Sequence, residues 1–485
     1  MNGEGDLYSD RQVAFVSGHN GTTQMEVIWV SLIGPVSILL RNLAIPWLFV
    51  GRRFASGRIK DTSIKLLLDF IFTIMPTVLV MGSWSGQARM VCLAEIVCVL
   101  SLLLFCFCEY VFISRDKPKL RDVINHVTDD QRRPMFFTYF RAVVLISTGV
   151  AILAVDFPVF PRRFAKTELY GHSVMDVGTA CFVYITALTS SDVRKLADHH
   201  DSAPPRLLAR LRSALPLTVI GVGRSLIIKA IGYHEHVTEY GIHWNFFITL
   251  ASIRIITILI ARVISLRRFA WLLALVFGLG YQYMLSEYGL ERWIMSEQTG
   301  RDGLIVANRE GICSLFGYLS LYFAAAQVGA FMARTGIRLK SWFWRVVQLA
   351  AICVAIFGLQ LISEANFGQP SRRLANLSYV LTMLLFNTGA VAVCLLVEVI
   401  SLFGAAAKMP LFSVDENPFD QLRPCMLTAI NHRPLVYFMA ANLLTGVVNF
   451  LMKTIDVTNE FEATLIISAY SFILSVIVMI GSRHT

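Results

Sequence analysis

The chain has 485 residues, of which 55% are hydrophobic and 16% are charged, and its formal net charge is +10. Soluble globular proteins carry roughly 25% charged residues, so the composition excludes an ordinary soluble domain. The Lys and Arg residues lie in short clusters between apolar runs, as in the loops of membrane proteins. This arrangement argues against a nucleic-acid partner and favours contact with membrane lipids, including anionic ones.

Apolar runs of about 20 residues, the length that spans a bilayer as a helix, recur along the chain. We therefore predict an all-α polytopic integral membrane protein with about 13 transmembrane helices in a single bundle and no separate soluble domain. The predicted spans are, in chain order, 26–48, 64–82, 90–113, 136–156, 174–190, 214–232, 245–265, 269–286, 312–332, 342–363, 378–403, 434–452 and 463–481. Counts of about 12 or 14 also fit, because several runs contain polar residues and could be split or re-entrant.

The loops between the predicted spans differ in basic charge. The odd-numbered connectors carry roughly 25 Lys and Arg residues, and the even-numbered connectors together with the N-terminal tail carry roughly 10. The odd-numbered connectors should therefore face the cytosol. Residues 1–25 are then a lumenal tail, residues 26–481 the membrane bundle and residues 482–485 a cytosolic tail. Two glycosylation sequons, at Asn20 and Asn376, fall on the predicted lumenal side and are weak candidates for modification.

Several familiar catalytic and targeting patterns are missing from the sequence. The N-terminus lacks the basic segment and short apolar run of a cleavable signal peptide. The nine cysteines form no CxxC pair and no Cys/His metal spacing. No nucleophile elbow, Walker motif or dinucleotide fingerprint occurs. We therefore predict no metal, no bound cofactor and no serine or cysteine nucleophile.

The segment AVDFPVFPRRFAKTELYG, residues 154–171, concentrates charge where the fourth predicted span ends. Pro158 and Pro161 disfavour helix around them, so the span should end near Asp156. A carboxylate at a helix C-terminus near apolar surface should have a raised pKa, which suits a general base. Lys166 could then stabilise an oxyanion or orient a hydroxyl. The alternative is an interfacial aspartate that pairs with arginines at the membrane surface.

A second polar segment, EHVTEYGIHWNFF, begins at Glu235. His236, Glu239 and His243 are spaced by three and four residues, so one helical turn would place them on one face. Three interpretations remain open: a metal site, a wall of a substrate cavity, and an interfacial loop anchored by Trp244. The H-E-x-x-H order of a zinc site is absent.

Two further polar segments lie at or inside predicted spans. ANREGICSLFGY places Asn308, Arg309 and Glu310 at the start of the ninth predicted span, where the two charges could simply neutralise each other. AANLLTGVVN places Asn442 and Asn449 within the twelfth, where hydrogen bonding between helices would satisfy their amides. On the predicted topology the first three polar segments converge on the lumenal side, which favours a functional site there.

These segments carry a family resemblance. ILAVDFPVFPRRFAKTELYGHSVMDVG, which includes a signature loop at residues 154–178, resembles the signature of the glucosaminyl-phosphatidylinositol inositol acyltransferases. FVSGHNGTT, EHVTEYGIHWNFF, NREGI and ANLLTGVVN resemble other segments shared by that family. The resemblance extends from about Phe15 to the last predicted span. The loops at residues 191–213 and 404–430 resemble the family least.

The resemblance implies an activity. Such enzymes transfer a fatty acyl chain, typically palmitoyl, from acyl-CoA to the inositol 2-hydroxyl of glucosaminyl-phosphatidylinositol. This is an early step of glycosylphosphatidylinositol (GPI) anchor synthesis in the endoplasmic reticulum. The family's catalytic aspartate and lysine fall here on Asp156 and Lys166. Acyl-CoA is then a co-substrate, and no obligate protein partner is evident.

The resemblance also implies a wider set of substrate-binding residues. Asp156 would accept the proton of the inositol hydroxyl, and the alkoxide would attack the thioester directly, without an acyl-enzyme. The implied substrate-binding residues are Arg162, Arg163, Phe164, Glu168, Asp176, His236, Glu239, His243, Trp244, Asn245, Asn308, Arg309, Glu310, Asn442 and Asn449.

Three rival interpretations remain. A membrane-bound O-acyltransferase mechanism would use a buried histidine, His243, as the base and would make Asp156 dispensable. A lipid or solute transporter would also contain charges within its spans, although the paired half-repeats that transporters often show are not evident. A scaffold would not need such charges. The side from which acyl-CoA enters is open, because acyl-CoA is made in the cytosol and Asp156 is predicted to be lumenal.

Overall fold

The computed structural model describes residues 11, 14–15, 17–49, 58–112, 118–126, 134–190, 192, 207–231, 237–296, 300–409, 422–423 and 425–482. The chain divides into two compact units. Unit 1 consists of Met1–Gly21, Lys166–Thr335 and Ala351–Thr388, and unit 2 consists of Thr22–Ala165, Gly336–Ala350 and Gly389–Thr485. His236, residues 1–10 of the predicted N-terminal tail and residues 483–485 of the predicted C-terminal tail lie outside the described residues.

Both units are built from helices. In chain order the described helices are α1 (Gln24–Phe49), α2 (Arg58–Asp69), α3 (Met75–Met81), α4 (Ala88–Phe112), α5 (Leu120–His126), α6 (Met135–Ala154), α7 (Val177–Leu188), α8 (Leu207–Leu211), α9 (Leu215–Ile231), α10 (Val237–Tyr240), α11 (Phe246–Val263), α12 (Leu266–Glu287), α13 (Leu290–Met295), α14 (Leu304–Ala307), α15 (Arg309–Ala333), α16 (Leu339–Phe367), α17 (Leu377–Ala406), α18 (Met426–His432), α19 (Pro434–Leu451) and α20 (Glu460–Ser482). Helices α7 to α15 belong to unit 1, and α1 to α6 and α18 to α20 belong to unit 2. Helices α16 and α17 each contribute to both units.

Eleven helical segments in the described part of the chain are long and apolar enough to cross a membrane. The predicted all-α multi-pass membrane fold is thereby confirmed, whereas the predicted count of thirteen spans is not. The predicted spans 174–190 and 214–232 correspond to α7, which has 12 residues, and α9, which has 17. At 1.5 Å per residue, α7 is about 18 Å long, short of the ~30 Å hydrocarbon layer. It begins only after the buried Asp176, so the apolar run is longer than the helix within it.

Helix α6 of unit 2 is capped from a distant part of the chain. Its first two amides, those of Met135 and Phe136, donate hydrogen bonds to the two carboxylate oxygens of Glu398 at 2.9 and 2.8 Å. Pro134, which precedes the helix, supplies no side-chain cap. Glu398 is 2% exposed. Its carboxylate satisfies two N–H groups that have no partner within the helix and places negative charge at the positive end of the helix dipole.

Tyr470 of α20 ties α6 to α19 within unit 2. Its hydroxyl lies 3.0 Å from the carbonyl oxygen of Gly149 and 3.1 Å from that of Ala441. The tyrosine is buried, and these hydrogen bonds satisfy its polar group. The contact fixes the mutual position of the helix that precedes Asp156 and the helix that carries Asn449.

A buried ion pair in unit 2 lies beside a π-helical segment, Phe70–Ile74, that joins α2 to α3. Arg41 donates from Nε to Asp69 at 2.8 Å, and its Nη2 lies 2.7 Å from the same carboxylate oxygen. The other oxygen of Asp69 accepts the backbone N–H of Met426 at 2.9 Å. The backbone carbonyl of Asp69 accepts the hydroxyl of Thr73 at 2.5 Å. The ion pair therefore joins α1 to α2, and the backbone hydrogen bond of Met426 attaches α18 to it. Pairing compensates for the burial of the two charges.

The loop before α17 is tightly folded in unit 1. The side-chain oxygen of Asn376 accepts the N–H groups of Ser371 at 3.0 Å and Tyr379 at 3.1 Å. The loop also approaches α15 closely, since a Cβ added to Gly317 would lie 2.0 Å from the carbonyl oxygen of Ala375. Only glycine allows this approach. The double-arginine segment between Ser371 and Ala375 is thereby held in place.

Candidate active site

Asp156 lies in unit 2, in the turn that follows α6. Its backbone N–H donates to the carbonyl of Leu153 at 3.1 Å, and the helix ends at Ala154. The prediction that Pro158 and Pro161 end this span near Asp156 is confirmed. The Asp156 residue is partly buried.

Asn449, near the C-terminus of α19, holds the Asp156 side chain. Its Nδ2 donates to Asp156 Oδ2 at 2.7 Å. The hydroxyl of Thr454, which is fully buried, donates to Asn449 Oδ1 at 3.1 Å. A hydroxyl donor at Oδ1 determines which end of the amide faces the carboxylate. Thr454 and Asn449 together therefore orient Asp156.

Burial raises the pKa of the Asp156 carboxyl above its ordinary value of 3.8. The hydrogen bond from Asn449 and the charge of Arg162 act in the opposite direction without cancelling that effect. Burial also lowers the pKa of Arg162 to about 10, against the influence of Asp156. The sequence-based expectation of a raised aspartate pKa is thus confirmed. A carboxylate of this kind accepts a proton more readily than an exposed one.

The two arginines of the signature loop have partners within unit 2. Arg162 Nη2 donates to the backbone carbonyls of Phe157 at 3.0 Å and Phe160 at 2.8 Å, so this side chain braces the loop. Arg163 Nη2 lies 2.9 Å from a carboxylate oxygen of Glu26, in an exposed ion pair. Their implied role as substrate-binding residues stays a prediction.

Lys166, in unit 1, belongs to a network of alternating charges. Its Nζ donates to the two carboxylate oxygens of Glu239 at 2.8 and 2.9 Å. Arg372 Nη1 donates to Glu239 Oε1 at 2.8 Å, and Arg372 Nε lies 2.9 Å from Asp176 Oδ1. The Thr167 hydroxyl donates to Asp176 Oδ2 at 2.7 Å. Two cations and two carboxylates form this network, and the Lys166 side chain, 42% exposed, is its most accessible charged member.

Glu239 is the hub of this network. Burial alone would raise its pKa, but the positive charges of Lys166 and Arg372, with the hydrogen bonds from both, lower it to about 2. Glu239 is therefore an anion at neutral pH and is not a proton donor. The Lys166 ammonium has three N–H donors. The two hydrogen bonds to Glu239 can use two of these donors, which leaves a third.

The EYGIHWN segment packs against the NREGI segment in unit 1. The backbone N–H of His243 donates to Asn308 Oδ1 at 2.8 Å. A Cβ added to Gly311 would lie 2.4 Å from Cδ1 of Trp244, so this contact requires glycine. The structure thus places the second and third of the predicted polar segments in direct contact. The His243 residue is exposed, which does not fit the buried histidine base of the rival mechanism.

Several other predicted substrate-binding residues have structural surroundings. Asn245 caps α11, where its side-chain oxygen accepts two backbone N–H groups at 3.0 and 3.2 Å. Asn442 donates to the carbonyl of Phe438 one turn earlier in α19 at 2.8 Å. Phe164 is fully buried and Glu168 is partly buried. Their roles toward a substrate stay predictions.

Glu310 is fully buried in unit 1 and meets more than its neighbour in sequence. Arg309 Nε lies 3.6 Å from Glu310 Oε1. The same oxygen accepts hydrogen bonds from Arg301 at 2.9 Å and from Arg373 at 3.1 Å. The interpretation that Arg309 and Glu310 simply neutralise each other is therefore incomplete.

The described residues contain no group of three or more His, Cys, Asp or Glu side chains that could hold a metal ion. The two sequons differ in exposure. Asn20 is exposed, and its glycosylation stays a prediction. Asn376 is 2% exposed, and its amide nitrogen donates to the carbonyl of Gln369 at 3.0 Å. The folded chain therefore does not present Asn376 to a glycosyl donor.

The sequence analysis missed several residues of these clusters, namely Thr167, Arg301, Arg372, Arg373 and Thr454. Thr454 is an isolated threonine after a span, and no sequence pattern connects it to Asn449. A sequence feature could have identified the pair Arg372 and Arg373. This pair lies on a connector predicted to be lumenal, where the positive-inside rule disfavours basic residues. Basic residues against that rule are a reason to look for a specific partner.

Comparison with known proteins covers nearly the whole chain. The GWT1 family model matches residues 8–481. A human protein named glucosaminyl-phosphatidylinositol-acyltransferase PIGW is 30% identical over 495 residues, with 96% of each chain covered. Its bovine counterpart is 32% identical over 483 residues, with 95% of each chain covered. A protein of Aspergillus fumigatus named GPI-anchored wall transfer protein 1 is 30% identical over 500 residues, with 96% of each chain covered. This chain therefore belongs to the GWT1 family.

Proposed function

We propose that this chain transfers a fatty acyl group from acyl-CoA to the inositol 2-hydroxyl of glucosaminyl-phosphatidylinositol during GPI-anchor biosynthesis. The names of the human and bovine relatives describe them as acyltransferases that act on glucosaminyl-phosphatidylinositol. The proposal adds acyl-CoA as the donor, palmitoyl as the chain, and the endoplasmic reticulum membrane as the location. It also adds a lumenal N-terminus and a cytosolic C-terminus.

One observation carries the chemical part of the proposal. The carboxylate of Asp156 is partly buried, has a raised pKa and is oriented by Asn449 in a chain of the GWT1 family. A positioned carboxylate with these properties is suited to accept the proton of a hydroxyl group. The charge network around Lys166 gives no comparable base, because Glu239 is held as a weakly basic anion and Asp176 is buried, where it is paired with Arg372 and Thr167.

The proposed reaction needs no covalent intermediate on the protein. Asp156 accepts the proton of the inositol hydroxyl as its oxygen attacks the thioester carbonyl carbon. The carbon–sulfur bond then breaks, and CoA leaves as a thiolate. The proton held by Asp156 can return to that thiolate or pass to water, which restores the carboxylate. In direct transfer of this kind the carboxylate first accepts a proton and then releases it.

Lys166 has a separate role in the proposal. Its remaining N–H would donate to a substrate oxygen, either the developing oxyanion or the hydroxyl that is to react. Glu239 would hold the ammonium in position through the other two N–H groups. Lys166 is partly exposed in unit 1, so a substrate can reach it.

The first test is an acyl-transfer assay in purified membranes with labelled palmitoyl-CoA and glucosaminyl-phosphatidylinositol. Wild type is compared with Asp156→Asn, Lys166→Ala and His243→Ala at matched expression. Glu462→Gln, which changes an exposed carboxylate of unit 2, is the control. Asp156→Asn and Lys166→Ala should abolish transfer, His243→Ala should leave partial activity, and Glu462→Gln should retain the wild-type rate. Near-normal transfer by Asp156→Asn together with an inactive His243→Ala would replace this proposal with the histidine mechanism.

A further inference from the structure

A second charged cluster in unit 1 is not used by the proposed mechanism. We call it the Glu310 cluster, and it consists of Arg301, Arg309, Glu310 and Arg373. Arg301 and Arg373 both donate to Oε1 of Glu310, at 2.9 and 3.1 Å, and Arg301 Nη1 lies 3.4 Å from Oε2. The Glu310 and Arg373 side chains are 0% and 5% exposed, while that of Arg301 is 24% exposed. The cluster therefore has a buried interior and one accessible member.

The charges of this cluster do not balance. Arg301 and Arg373 share one carboxylate, so these two arginines bring one positive charge more than Glu310 neutralises. Among the described residues, their other acceptors are backbone carbonyls, of Ala307 for Arg301 at 3.4 Å and of Ile294 for Arg373 at 3.3 Å. A carbonyl is a dipole and carries no net charge. Buried charges in proteins are normally paired, so an excess of positive charge here favours an anion.

Two further observations also favour an anion. Arg373 Nε is buried and has no hydrogen-bond partner among the described residues. The cluster also lies at the start of α15, a helix of 25 residues. The backbone N–H groups and the dipole of a helix N-terminus add positive potential there. An unused buried donor and a helix N-terminus thus meet at one place.

Residues 302–305, which follow the accessible arginine in the chain, are exposed. A Cβ added to Gly303 would meet no atom within 4 Å. The Leu304 and Ile305 residues that follow are 74% and 67% exposed. An anionic group could therefore approach Arg301 from an open side that borders apolar surface, as the phosphate of an amphipathic molecule would.

We propose that the Glu310 cluster binds a phosphate group of a substrate, with Arg301 and Arg373 as its donors and Glu310 as the residue that holds both guanidinium groups. This inference rests on the proposed function, because both substrates proposed above carry phosphate. CoA carries a phosphomonoester and a pyrophosphate, and the lipid acceptor carries a phosphodiester. Arginine suits either, since its planar guanidinium can donate two parallel hydrogen bonds to phosphate oxygens.

The test begins with binding to the purified full-length chain in detergent. The probes are inorganic pyrophosphate, CoA without an acyl chain, and glycerophosphoinositol, each titrated by calorimetry. Arg301→Gln is the main variant because Arg301 is partly exposed, and Arg301→Lys retains the charge. Arg334→Gln is the control, since Arg334 is an exposed arginine just beyond the other end of α15. Arg301→Gln should weaken binding of at least one probe by about tenfold or more, Arg301→Lys should weaken it less, and Arg334→Gln should not change it.

The probe that responds identifies the substrate. Weakened binding of CoA and pyrophosphate, with a raised KM for acyl-CoA alone, would assign the cluster to the donor. Weakened binding of glycerophosphoinositol, with a raised KM for the lipid alone, would assign it to the acceptor. Unchanged binding of all three probes by Arg301→Gln, or no binding by wild type, would overturn the inference and leave the cluster a structural one. Failure of the proposed function is distinguishable, because binding that depends on Arg301 would then persist in a chain without acyl transfer.

Discussion

The side-chain amide of Asn449 donates a 2.7 Å hydrogen bond to the carboxylate of Asp156. Asn449 lies near the end of α19 and Asp156 lies just beyond the end of α6, and Tyr470 joins the two helices through their backbone carbonyls. The bond stabilises the ionised form of the carboxylate and also aims it. Asn449 is thus a positioning residue for the proposed base.

Removal of this bond should slow the reaction. Asn449→Ala is expected to lower kcat by about 10- to 100-fold, because a hydrogen bond to a charged group is worth about 1.5–3 kcal/mol. Steady-state kinetics with both substrates would measure the effect. Asn366→Ala is the matched control, since Asn366 is an exposed asparagine whose amide donates to the preceding turn of its own helix. Equal activity of the two variants would contradict a positioning role.

The orientation of the Asn449 amide should depend on Thr454. Thr454→Val keeps the shape of the side chain and removes the hydroxyl that donates to Asn449 Oδ1. We expect a several-fold lower kcat with little change in either KM, because the amide can then turn its oxygen toward Asp156. Thr454→Ser should restore most of the rate. If the serine variant is as slow as the valine variant, loss of packing is the better explanation.

The pH dependence of the rate should report on Asp156. Its pKa is raised by burial, and the base must be ionised, so kcat/KM should fall as pH decreases through that raised value. Arg162→Gln removes a positive charge that lowers the pKa of Asp156. The acid limb of the profile should therefore move to higher pH in this variant. A limb that stays in place would show that another group controls it.

The charge network of unit 1 should affect stability at acid pH. The pKa of Glu239 is lowered from its ordinary value of 4.5 to about 2 in the folded chain. A carboxyl group whose pKa is lower in the folded chain than in the unfolded chain stabilises the fold at pH values above its unfolded pKa. This stabilisation is lost as pH falls from about 4.5 toward 2. Wild type should lose thermal stability over that window more steeply than Glu239→Gln. The thermal midpoint in detergent, measured across pH, would check this, and parallel curves would count against it.

The close approach of Gly317 to Ala375 predicts a strong effect of one methyl group. Gly317→Ala places a Cβ 2.0 Å from a backbone oxygen, so the loop with Arg372 and Arg373 must shift. Overpacking of this kind typically costs about 1–3 kcal/mol, and a lower thermal midpoint is expected. Gly223→Ala is the control, because its added Cβ would meet nothing within 4 Å. Similar midpoints for the two variants would refute the steric argument.

Much of the fold could be predicted because apolar runs long enough to cross a bilayer leave few structural alternatives. The spans predicted at 174–190 and 214–232 were harder to place, because hydropathy detects an apolar run but does not show where the helix within it begins and ends. Asp156 and Asn449 were each predicted, but their contact was not, since 293 residues separate them in the chain. Arg372 was missed because the partners of a loop arginine depend on tertiary contacts that no local periodicity records.

The π-helical segment Phe70–Ile74 has a consequence for the history of the family. A π-turn holds about one residue more than an α-turn, so this segment amounts to a one-residue insertion within a membrane helix. A relative without that residue would continue as a regular α-helix, and everything before the deletion would rotate by about 100° around the helix axis. Asp69 would then turn away from Arg41. Relatives that lack the inserted residue should therefore also have lost the pair, so that a length difference and two substitutions are inherited together.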